Sequence, residues 1–450
     1  MIVSTVILAA GQGTRMRSNL PKVLHCLAGK PFIEYSLRAA ESLGGEMPVV
    51  VIGHGADAVR AFVGERARFA LQMRQLGTAH AVMMAEPLLA GQSDLVVVIN
   101  ADMPLLYEST LRRLVELQTE NPGPMTLLTI LSKDSHGFGH VSRTENGIVK
   151  AIVEEAVATP DQLAIEELNA GVYCFSALWL WPALHQIPAS PKGEHYLTDT
   201  VELAVRDGLR VESLRLTDPD EAIGINTRLH LAEAETLLRK RINNGWMLEG
   251  VTIVDPNTTY IGPDVKIGQD TIIYPGTHLD GVVEIGPDCQ LGPNAIIKDT
   301  TIGVACRVGS SILEMAVIEN HVEIGAFCHL GPGSYLGDGV ILGNSVEIND
   351  TYLAPGVHVP HFSYLGDATV GENATFGAGA VVCNFDGKVI QPVEIGPRVF
   401  IGAGTLIVSP VKVGEGAYTG AGSVVTADVP PDTIIQAVSA SPISKPEQGE

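Results

Sequence analysis

From about residue 251 onward, aliphatic residues recur at every sixth position through most of the chain. Most precede a glycine, and they are Ile261, Ile267, Ile273, Leu279, Ile285, Leu291, Ile297, Ile324, Leu330, Leu336, Leu342, Val370, Phe376, Val382, Ile395, Ile401, Ile407 and Val413. Such a period is typical of hexapeptide repeats, in which three repeats form one triangular coil and the aliphatic side chains fill its axis. The sequence therefore predicts a parallel β-helix of about ten coils.

Two segments interrupt the six-residue pattern. The first follows Gly343, and the second covers residues 383–392. We expect both to protrude as loops. Residues 439–450 are rich in proline, serine and glutamate and predict a loose tail.

The first 226 residues have a different pattern, in which predicted strands alternate with helices. Buried strands are predicted at 3–8, 48–51, 95–99 and 125–131, and a helix at 56–63. This alternation predicts a doubly wound α/β domain, whose ligands bind beyond the carboxyl ends of the strands. A long helix at 229–244 connects the two patterns. The predicted domains are 1–227 and 250–438, with a linker helix at 228–249 and the tail at 439–450.

A glycine-rich stretch follows the first predicted strand. It reads Leu8-Ala-Ala-Gly11-Gln-Gly13-Thr-Arg15, and Pro21-Lys22 comes shortly after. Backbone N–H groups in such a loop can cradle phosphate oxygens, and the two cations can neutralise a polyphosphate. The spacing fits neither a Walker A loop nor the GxGxxG fingerprint. The alternative is an ordinary strand-to-helix turn with two solvated cations.

Asp102 follows the predicted strand at 95–99, so it should lie at the same edge of the sheet. A single aspartate in this position can be a helix cap. Beside a phosphate site it can also bind Mg²⁺, which commonly uses one or two carboxylates together with substrate phosphates.

Composition excludes several functions. The net charge of −22 argues against a nucleic-acid or anionic-membrane surface. The six cysteines form no CxxC motif, which favours a reduced, cytoplasmic chain without a zinc site. We also expect no signal peptide and no membrane span.

With these motifs, nearly the whole chain resembles the sugar nucleotidyltransferases of the bifunctional uridyltransferase/acetyltransferase type. The resemblance implies Mg²⁺-dependent uridylyl transfer from UTP to N-acetylglucosamine-1-phosphate, with charge stabilisation by Arg15 and Lys22. The implied nucleotide and uracil contacts are Leu8, Ala10, Gly11, Gln72, Gly77 and Thr78, the sugar contacts are Gly139, Glu154 and Asn169, and the metal ligands are Asp102 and Asn226. Asn100 and His140 depart from the family pattern. The segment 193–199 is given a structural or dimer-contact role.

For the second domain the resemblance implies a left-handed β-helix that trimerises and transfers an acetyl group from acetyl-CoA. His361 would be the base, with Tyr364 and Asn384 as companions. Departures are numerous: Gly331, Asn349, Thr375, Phe385, residues 390–392 and Ala440 replace family residues, several of them cationic. The missing groups are chiefly those that would hold a sugar phosphate. Lys388 could compensate.

Three functions remain open from the sequence. The first is a uridylyltransferase whose β-helix is a scaffold or an altered acyltransferase. The second is a fully bifunctional enzyme that also acetylates glucosamine-1-phosphate. The third is a regulatory sugar-nucleotide-binding protein with a vestigial transferase site.

Overall fold

The chain forms two compact units. The computed structural model describes residues 1–134, 137–155, 158–191 and 193–437. The division between the units falls between Leu238 and Arg239, inside a long helix. The domain boundaries given above stay predictions, and the predicted tail and Ala440 lie outside the described residues.

The first unit is built on one sheet. Its strands are β1 (Val3–Ala9), β4 (Val49–Ile52), β5 (Arg68–Leu71), β6 (Leu95–Asn100), β7 (Met125–Leu131), β8 (His140–Arg143), β9 (Val149–Val153), β10 (Glu167–Ser176) and β11 (Val211–Arg215), and a separate hairpin pairs β2 (Cys26–Leu27) with β3 (Lys30–Pro31). The order is β11-β7-β10-β6-β1-β4-β5; β8 pairs with β10, and β9 pairs with β8. Only β10 runs antiparallel to its neighbours along this order.

Helices cover both faces of this sheet. They are α1 (Phe32–Glu41), α2 (Ala56–Val63), α3 (Thr78–Met83), α4 (Glu86–Leu89), α5 (Glu108–Glu120), α6 (Pro160–Leu163), α7 (Ala177–Leu184) and α8 (Asp199–Arg206). The last helix, α9 (Arg228–Leu248), contains the boundary between the two units. Val6 and Ile7 of β1 are fully buried in two different cores, one on each face. Burial on both sides explains why the strands read as continuous aliphatic runs. None of the described helices has the length and apolar character needed to span a membrane.

The second unit consists of three parallel sheets of very short strands. The first sheet contains β12 (Thr252–Ile253), β15 (Ile272–Ile273), β18 (Gln290–Leu291), β21 (Arg307–Val308), β24 (Glu323–Ile324), β27 (Ile341–Asn344), β30 (His358–His361), β33 (Thr375–Phe376), β36 (Phe400–Ile401), β39 (Tyr418–Thr419) and β41 (Ile434–Ile435). The second contains β13 (Tyr260–Ile261), β16 (His278–Asp280), β19 (Ile296–Lys298), β22 (Ile312–Glu314), β25 (His329–Leu330), β28 (Glu347–Asn349), β31 (Tyr364–Gly366), β34 (Val381–Cys383), β37 (Leu406–Val408) and β40 (Val424–Val425). The third contains β14 (Lys266–Ile267), β17 (Glu284–Ile285), β20 (Thr301–Ile302), β23 (Val317–Ile318), β26 (Tyr335–Leu336), β29 (Tyr352–Leu353), β32 (Ala368–Val370), β35 (Val393–Ile395) and β38 (Val411–Val413).

Each short strand pairs with the strand three places along the chain, except that β39 pairs with β41, so consecutive strands pass from sheet to sheet. This is the architecture of a parallel β-helix, and with its hexapeptide repeats it fits the left-handed form. All the recurring aliphatic side chains predicted to fill the axis are buried in one continuous core. The predicted β-helix is therefore confirmed.

The prediction of a protruding loop after Gly343 is wrong. Strand β27 runs through Gly343, and β28 follows after two residues with regular pairing on both sides. The period fails here because some corners are one residue shorter, as between the inward-facing Ile348 and Leu353, which are both fully buried. The second interruption does form a loop, closed by a bridge between Phe385 and Ile390.

Candidate functional site

The glycine-rich loop leaves the end of β1 and turns back beside Lys22. Gly13 has a left-handed φ of 62°, and a Cβ atom there would lie 2.6 Å from Lys22 Cβ. Both features require glycine, because an L side chain would be strained and would push Lys22 away. Met16, buried at the end of the following turn, anchors the loop to the domain. The loop thus positions Lys22 as well as its own N–H groups.

Four of the predicted charged and metal-binding residues meet at one point. Lys22 Nζ contacts the Asp102 carboxylate and donates a hydrogen bond of 2.7 Å to Asn226 Oδ1. Arg15 Nη2 donates to the same Oδ1 at 2.9 Å. The Gly224–Asn226 turn is held by Ile225 N, which donates to the Asp102 carbonyl at 2.9 Å. Residues more than 200 positions apart therefore form one cluster.

A cavity of about 320 Å³ opens beside this cluster. It is lined by Leu8, Ala9, Ala10, Gly11, Lys22, Val23, Gln72, Gln75, Gly77, Thr78, Ala81, Asn100, Asp102, Glu194 and Tyr196. Gln72 is buried, and its Nε2 contacts the Gly77 carbonyl at 3.1 Å and His80 Nδ1 at 2.9 Å. These contacts fix the amide and leave Oε1 as its group for accepting a ligand hydrogen bond. Every residue predicted to contact the nucleotide, except Arg15, lines this cavity.

A second cavity of about 320 Å³ shares Leu8, Thr78, Asn100 and Tyr196 with the first. Its remaining lining residues are Gly137, Phe138, Gly139, Glu154, Asn169, Ala170, Gly171, Tyr173, Leu197 and Thr198. It therefore contains all three predicted sugar contacts. Asn169 is buried, its Nδ2 donates to the Tyr173 hydroxyl at 2.7 Å, and its backbone N–H donates to the Gly139 carbonyl at 2.8 Å.

The two departures from the family pattern have local explanations. Asn100 lies beside Leu8 in the parallel pairing of β6 with β1, and its amide donates to the Gly171 carbonyl at 3.1 Å. It lines both cavities. His140 is buried with Nδ1 bound to the Ile165 carbonyl at 2.8 Å, and it lines neither cavity.

The segment before α8 lines both cavities, although the sequence predicted only a structural or dimer-contact role for it. Glu194 and Tyr196 line the first cavity, and Thr198 donates to Glu154 Oε1 at 2.9 Å in the second. Backbone bonds from His195 N to the Leu76 carbonyl and from Ala79 N to the His195 carbonyl hold the segment in place. A Cβ on Gly77 would collide with His195. No motif signals this contact, since it joins segments about 120 residues apart.

Asp199, at the start of α8, has its pKa raised to about 6 by burial, by Glu202 and by Glu154, with His195 opposing. Its ionised form therefore lowers stability increasingly as the pH rises through about 4 to 6. We expect Asp199→Asn to stabilise the protein by ~1 kcal/mol at pH 8, after allowance for partial exposure, and to have almost no effect at pH 4. Scanning calorimetry at both pH values measures this, with Asp207→Asn on the exposed end of α8 as control. An equal effect of Asp199→Asn at both pH values would contradict the assignment.

Two of the β-helix residues predicted for acetyl transfer, His361 and Tyr364, lie on consecutive strands, and the third, Asn384, follows β34. His361 ends β30 and is exposed, and Tyr364 begins β31. Asn384 is buried, and its Nδ2 lies 2.6 Å from Asp367 Oδ2 and 3.4 Å from the Tyr364 hydroxyl. Tyr364 and Asn384 are thus in contact, and the His361 ring is turned to the surface.

Two of the missing family cations would also lie next to this cluster. Leu330 pairs with Ile348 and Asn349 pairs with Gly366, so positions 331, 349 and 366 form one column on adjacent coils. A Cβ on Gly331 would lie 2.6 Å from Asn349 Oδ1. Between Arg307 and Lys388 the sequence contains nine carboxylates and no lysine or arginine. The stretch of sequence that contains His361 is therefore strongly anionic.

Comparison with known proteins agrees with this architecture. Residues 5–167 match the MobA-like NTP transferase domain, and residues 264–299, 315–350 and 392–427 match the bacterial transferase hexapeptide model. The chain is 44% identical over 428 residues to the bifunctional protein GlmU of Heliobacterium modesticaldum, covering 95% of this chain and 93% of the relative. It is 42% identical over 437 residues to that of Syntrophomonas wolfei (96% and 97%) and 41% identical over 430 residues to that of Halalkalibacterium halodurans (95% and 94%). With this similarity along both units, the chain belongs to the GlmU family of bifunctional proteins.

Proposed function

We propose that the first unit transfers a uridylyl group from UTP to N-acetylglucosamine-1-phosphate, giving UDP-N-acetylglucosamine and pyrophosphate. The observation that carries this proposal is the pair of adjoining cavities beside Lys22, Arg15, Asp102 and Asn226. One cavity offers a buried amide and backbone groups for a base, and the other offers Glu154 and Asn169 for sugar hydroxyl and amide groups. We infer that Lys22, which lines the first cavity, and Arg15, which shares its Asn226 contact, bind the phosphates of the two substrates.

The cluster also fits Mg²⁺. Asp102 and Asn226 present one oxygen each to the same ammonium group, so one cation can already contact both. A carboxylate and an amide oxygen, completed by phosphate oxygens and water, suit this ion. Among the described residues no group of three or more histidine, cysteine or acidic side chains could hold a metal alone. Bound there, Mg²⁺ would offset phosphate charge and help to orient the triphosphate.

The chemistry requires no protein nucleophile. An oxygen of the sugar phosphate attacks the α-phosphorus of UTP, and the bond to the bridging oxygen of pyrophosphate breaks. Lys22 and Arg15 stabilise the charge that develops on the transferring and leaving oxygens, and the cavities hold the reacting atoms in line.

A cytoplasmic location is supported by the six free cysteines, all of which lie within the described residues.

For the β-helix we propose the remains of an acetyl-CoA-dependent site with weak activity on glucosamine-1-phosphate. His361, Tyr364 and Asn384 support the retention of a base and its neighbours. Gly331 and Asn349 lie in one column and offer no cation, which favours loss of the groups that would bind the sugar phosphate. Full bifunctionality is the second candidate, favoured by the names of the relatives. Lys388 is the nearest cation along the chain to this site, and it lies in the exposed part, residues 385–390, of the 383–392 loop.

One experiment separates the two candidates. Purified protein is incubated with UTP, N-acetylglucosamine-1-phosphate and Mg²⁺, and separately with acetyl-CoA and glucosamine-1-phosphate, and both products are quantified. We expect rapid formation of the sugar nucleotide and little acetylated product. Absence of the sugar nucleotide would overturn the uridylyltransferase proposal.

We also predict that the protein is a trimer held by its β-helix. Exposed apolar side chains lie on the sheets of this unit, including Leu406, Val424 and Ile434, which are 38%, 59% and 68% exposed. Covering such side chains is favourable by about 25 cal/mol per Å². Light scattering at micromolar concentration should give three times the chain mass of 47.6 kDa. Val424→Lys should weaken the assembly, whereas Lys266→Ala on the third sheet, where Lys266 pairs with Glu284, should not. A stable wild-type monomer would refute the prediction.

A further inference from the structure

The chain segments around Lys22 and Asn226 are joined by a second hydrogen bond close to the first. Arg228 Nη1 lies 3.2 Å from His25 Nδ1. His25 follows Lys22 by three residues, and its backbone N–H closes the turn onto the Lys22 carbonyl at 3.2 Å. Arg228 follows Asn226 by two residues and is the first residue of α9. The bond between His25 and Arg228 therefore parallels the one between Lys22 and Asn226.

We propose that His25 and Arg228 form a positioning clamp that holds Lys22 against Asn226 for phosphoryl transfer. This inference rests on the proposed uridylyl transfer, since it assigns the pair to the placement of Lys22 in that reaction. Neither residue contacts the nucleotide or sugar cavity, because both are absent from the described linings.

The protonation state of His25 follows from its partner. A guanidinium group has no acceptor, so Arg228 donates and Nδ1 must accept, which places the ring proton on Nε2. His25 is 5% exposed, and burial followed by the nearby Arg228 lowers its pKa, with the Leu20 backbone opposing. The ring is thus neutral near pH 7 and can accept. Its Nε2 is buried without a hydrogen-bond partner among the described residues.

The position of Arg228 also needs an explanation. A cation in the first turn of a helix is unfavourable, because the N-terminal end of the helix dipole is positive. The first turn of α9 contains no acidic residue to offset it. A second long-range bond supports the same attachment: Ala28 N, in the turn of the β2–β3 hairpin, donates to Glu235 Oε2 at 2.9 Å. The hairpin after Lys22 is therefore fastened to α9 at two points.

The consequence for catalysis is geometric. Lys22 must stay within hydrogen-bond distance of oxygen atoms whose charge increases during transfer, and displacements of about 1 Å cost large factors in rate. Losing the clamp should loosen the Lys22 turn relative to Asn226. It should lower kcat more than it raises KM for UTP, because the cavity for the base is untouched.

The test uses the two isosteres of histidine. Asparagine places its oxygen near Nδ1 and can still accept from Arg228, whereas glutamine reaches the position of Nε2. We expect His25→Asn to keep kcat within about twofold of the wild type, and both His25→Gln and Arg228→Met to lower it about tenfold with little change in KM. The double variant His25→Gln/Arg228→Met should be no slower than either single variant.

The outcomes are decisive in both directions. Equal kcat values for the Asn and Gln variants, or wild-type kcat in Arg228→Met, would overturn the proposal that His25 and Arg228 position Lys22. Arg228 is exposed, so its variant should fold even where a His25 variant does not, and thermal midpoints are measured for all of them. A wild-type protein that forms no sugar nucleotide would instead overturn the proposed function, so the two failures are distinguishable.

Discussion

Replacing Lys22 by alanine should lower the rate of pyrophosphate release from UTP and N-acetylglucosamine-1-phosphate at least ~100-fold. Its ammonium group, with only 12% of the side chain exposed, contacts both Asp102 and Asn226 beside the first cavity, which Lys22 and Asp102 line. A cation in this partly buried position stabilises transferring charge much more strongly than one in water. Asp102→Ala should cause a similar loss, because it removes a charged oxygen that faces the same point.

Matched controls distinguish these losses from general effects of charge. Lys150→Ala and Asp57→Ala change exposed residues on β9 and α2 and should leave turnover unchanged. A coupled assay of pyrophosphate, with calorimetric checks of folding, measures all four variants. Near wild-type turnover in Lys22→Ala or Asp102→Ala would contradict the assignment of the site.

The fold was largely predictable because both of its patterns are repetitive. Each inward-facing residue of the β-helix lies on a short strand whose neighbours enforce the same register, so one period describes the whole unit. The error after Gly343 has a simple cause: shortening a corner by one residue shifts the period without disturbing the strands. From sequence alone, such a shift cannot be distinguished from an inserted loop.

The candidate site was predictable only in part. The residues carried by the loop after β1 and by Asp102 follow strands, and parallel strands bring their ends to one edge. The contact of Lys22 with Asn226 was not predictable, because it depends on how the turn before α9 folds back on the sheet. The same holds for Tyr196 and Thr198, whose segment reaches the cavities through backbone bonds to Leu76 and Ala79.

Glucosamine-1-phosphate should be a very poor acetyl acceptor for this protein. Its phosphate carries nearly two negative charges, and the stretch around His361 has nine carboxylates and no lysine or arginine between Arg307 and Lys388. At the two positions where cations are expected from the family resemblance, Gly331 and Asn349 stand on adjacent coils. Each missing charge-assisted hydrogen bond should cost ~1.5–3 kcal/mol, so the loss of two weakens binding by about 10²–10⁴.

Restoring the cations should recover much of this loss. Gly331→Arg alone would press on the Asn349 side chain, which lies 2.6 Å from the new Cβ, so we expect the double variant with Asn349→Lys to work better. Thiol release from acetyl-CoA is measured over a concentration series of glucosamine-1-phosphate. The double variant should raise kcat/KM at least ~100-fold, and adding His361→Ala should abolish the gain.

The control replaces the same two positions with glutamine, which adds similar length and hydrogen-bonding capacity without charge. If Gly331→Gln/Asn349→Gln recovers as much activity as the cationic pair, the loss is one of contact area and the electrostatic account is wrong. If the wild type already saturates at micromolar glucosamine-1-phosphate and His361→Ala abolishes that activity, other groups have replaced the phosphate-binding cations missing at positions 331 and 349. In that case Lys388→Ala tests the one lysine of the 383–392 loop, and loss of activity in this variant would assign the phosphate contact to Lys388.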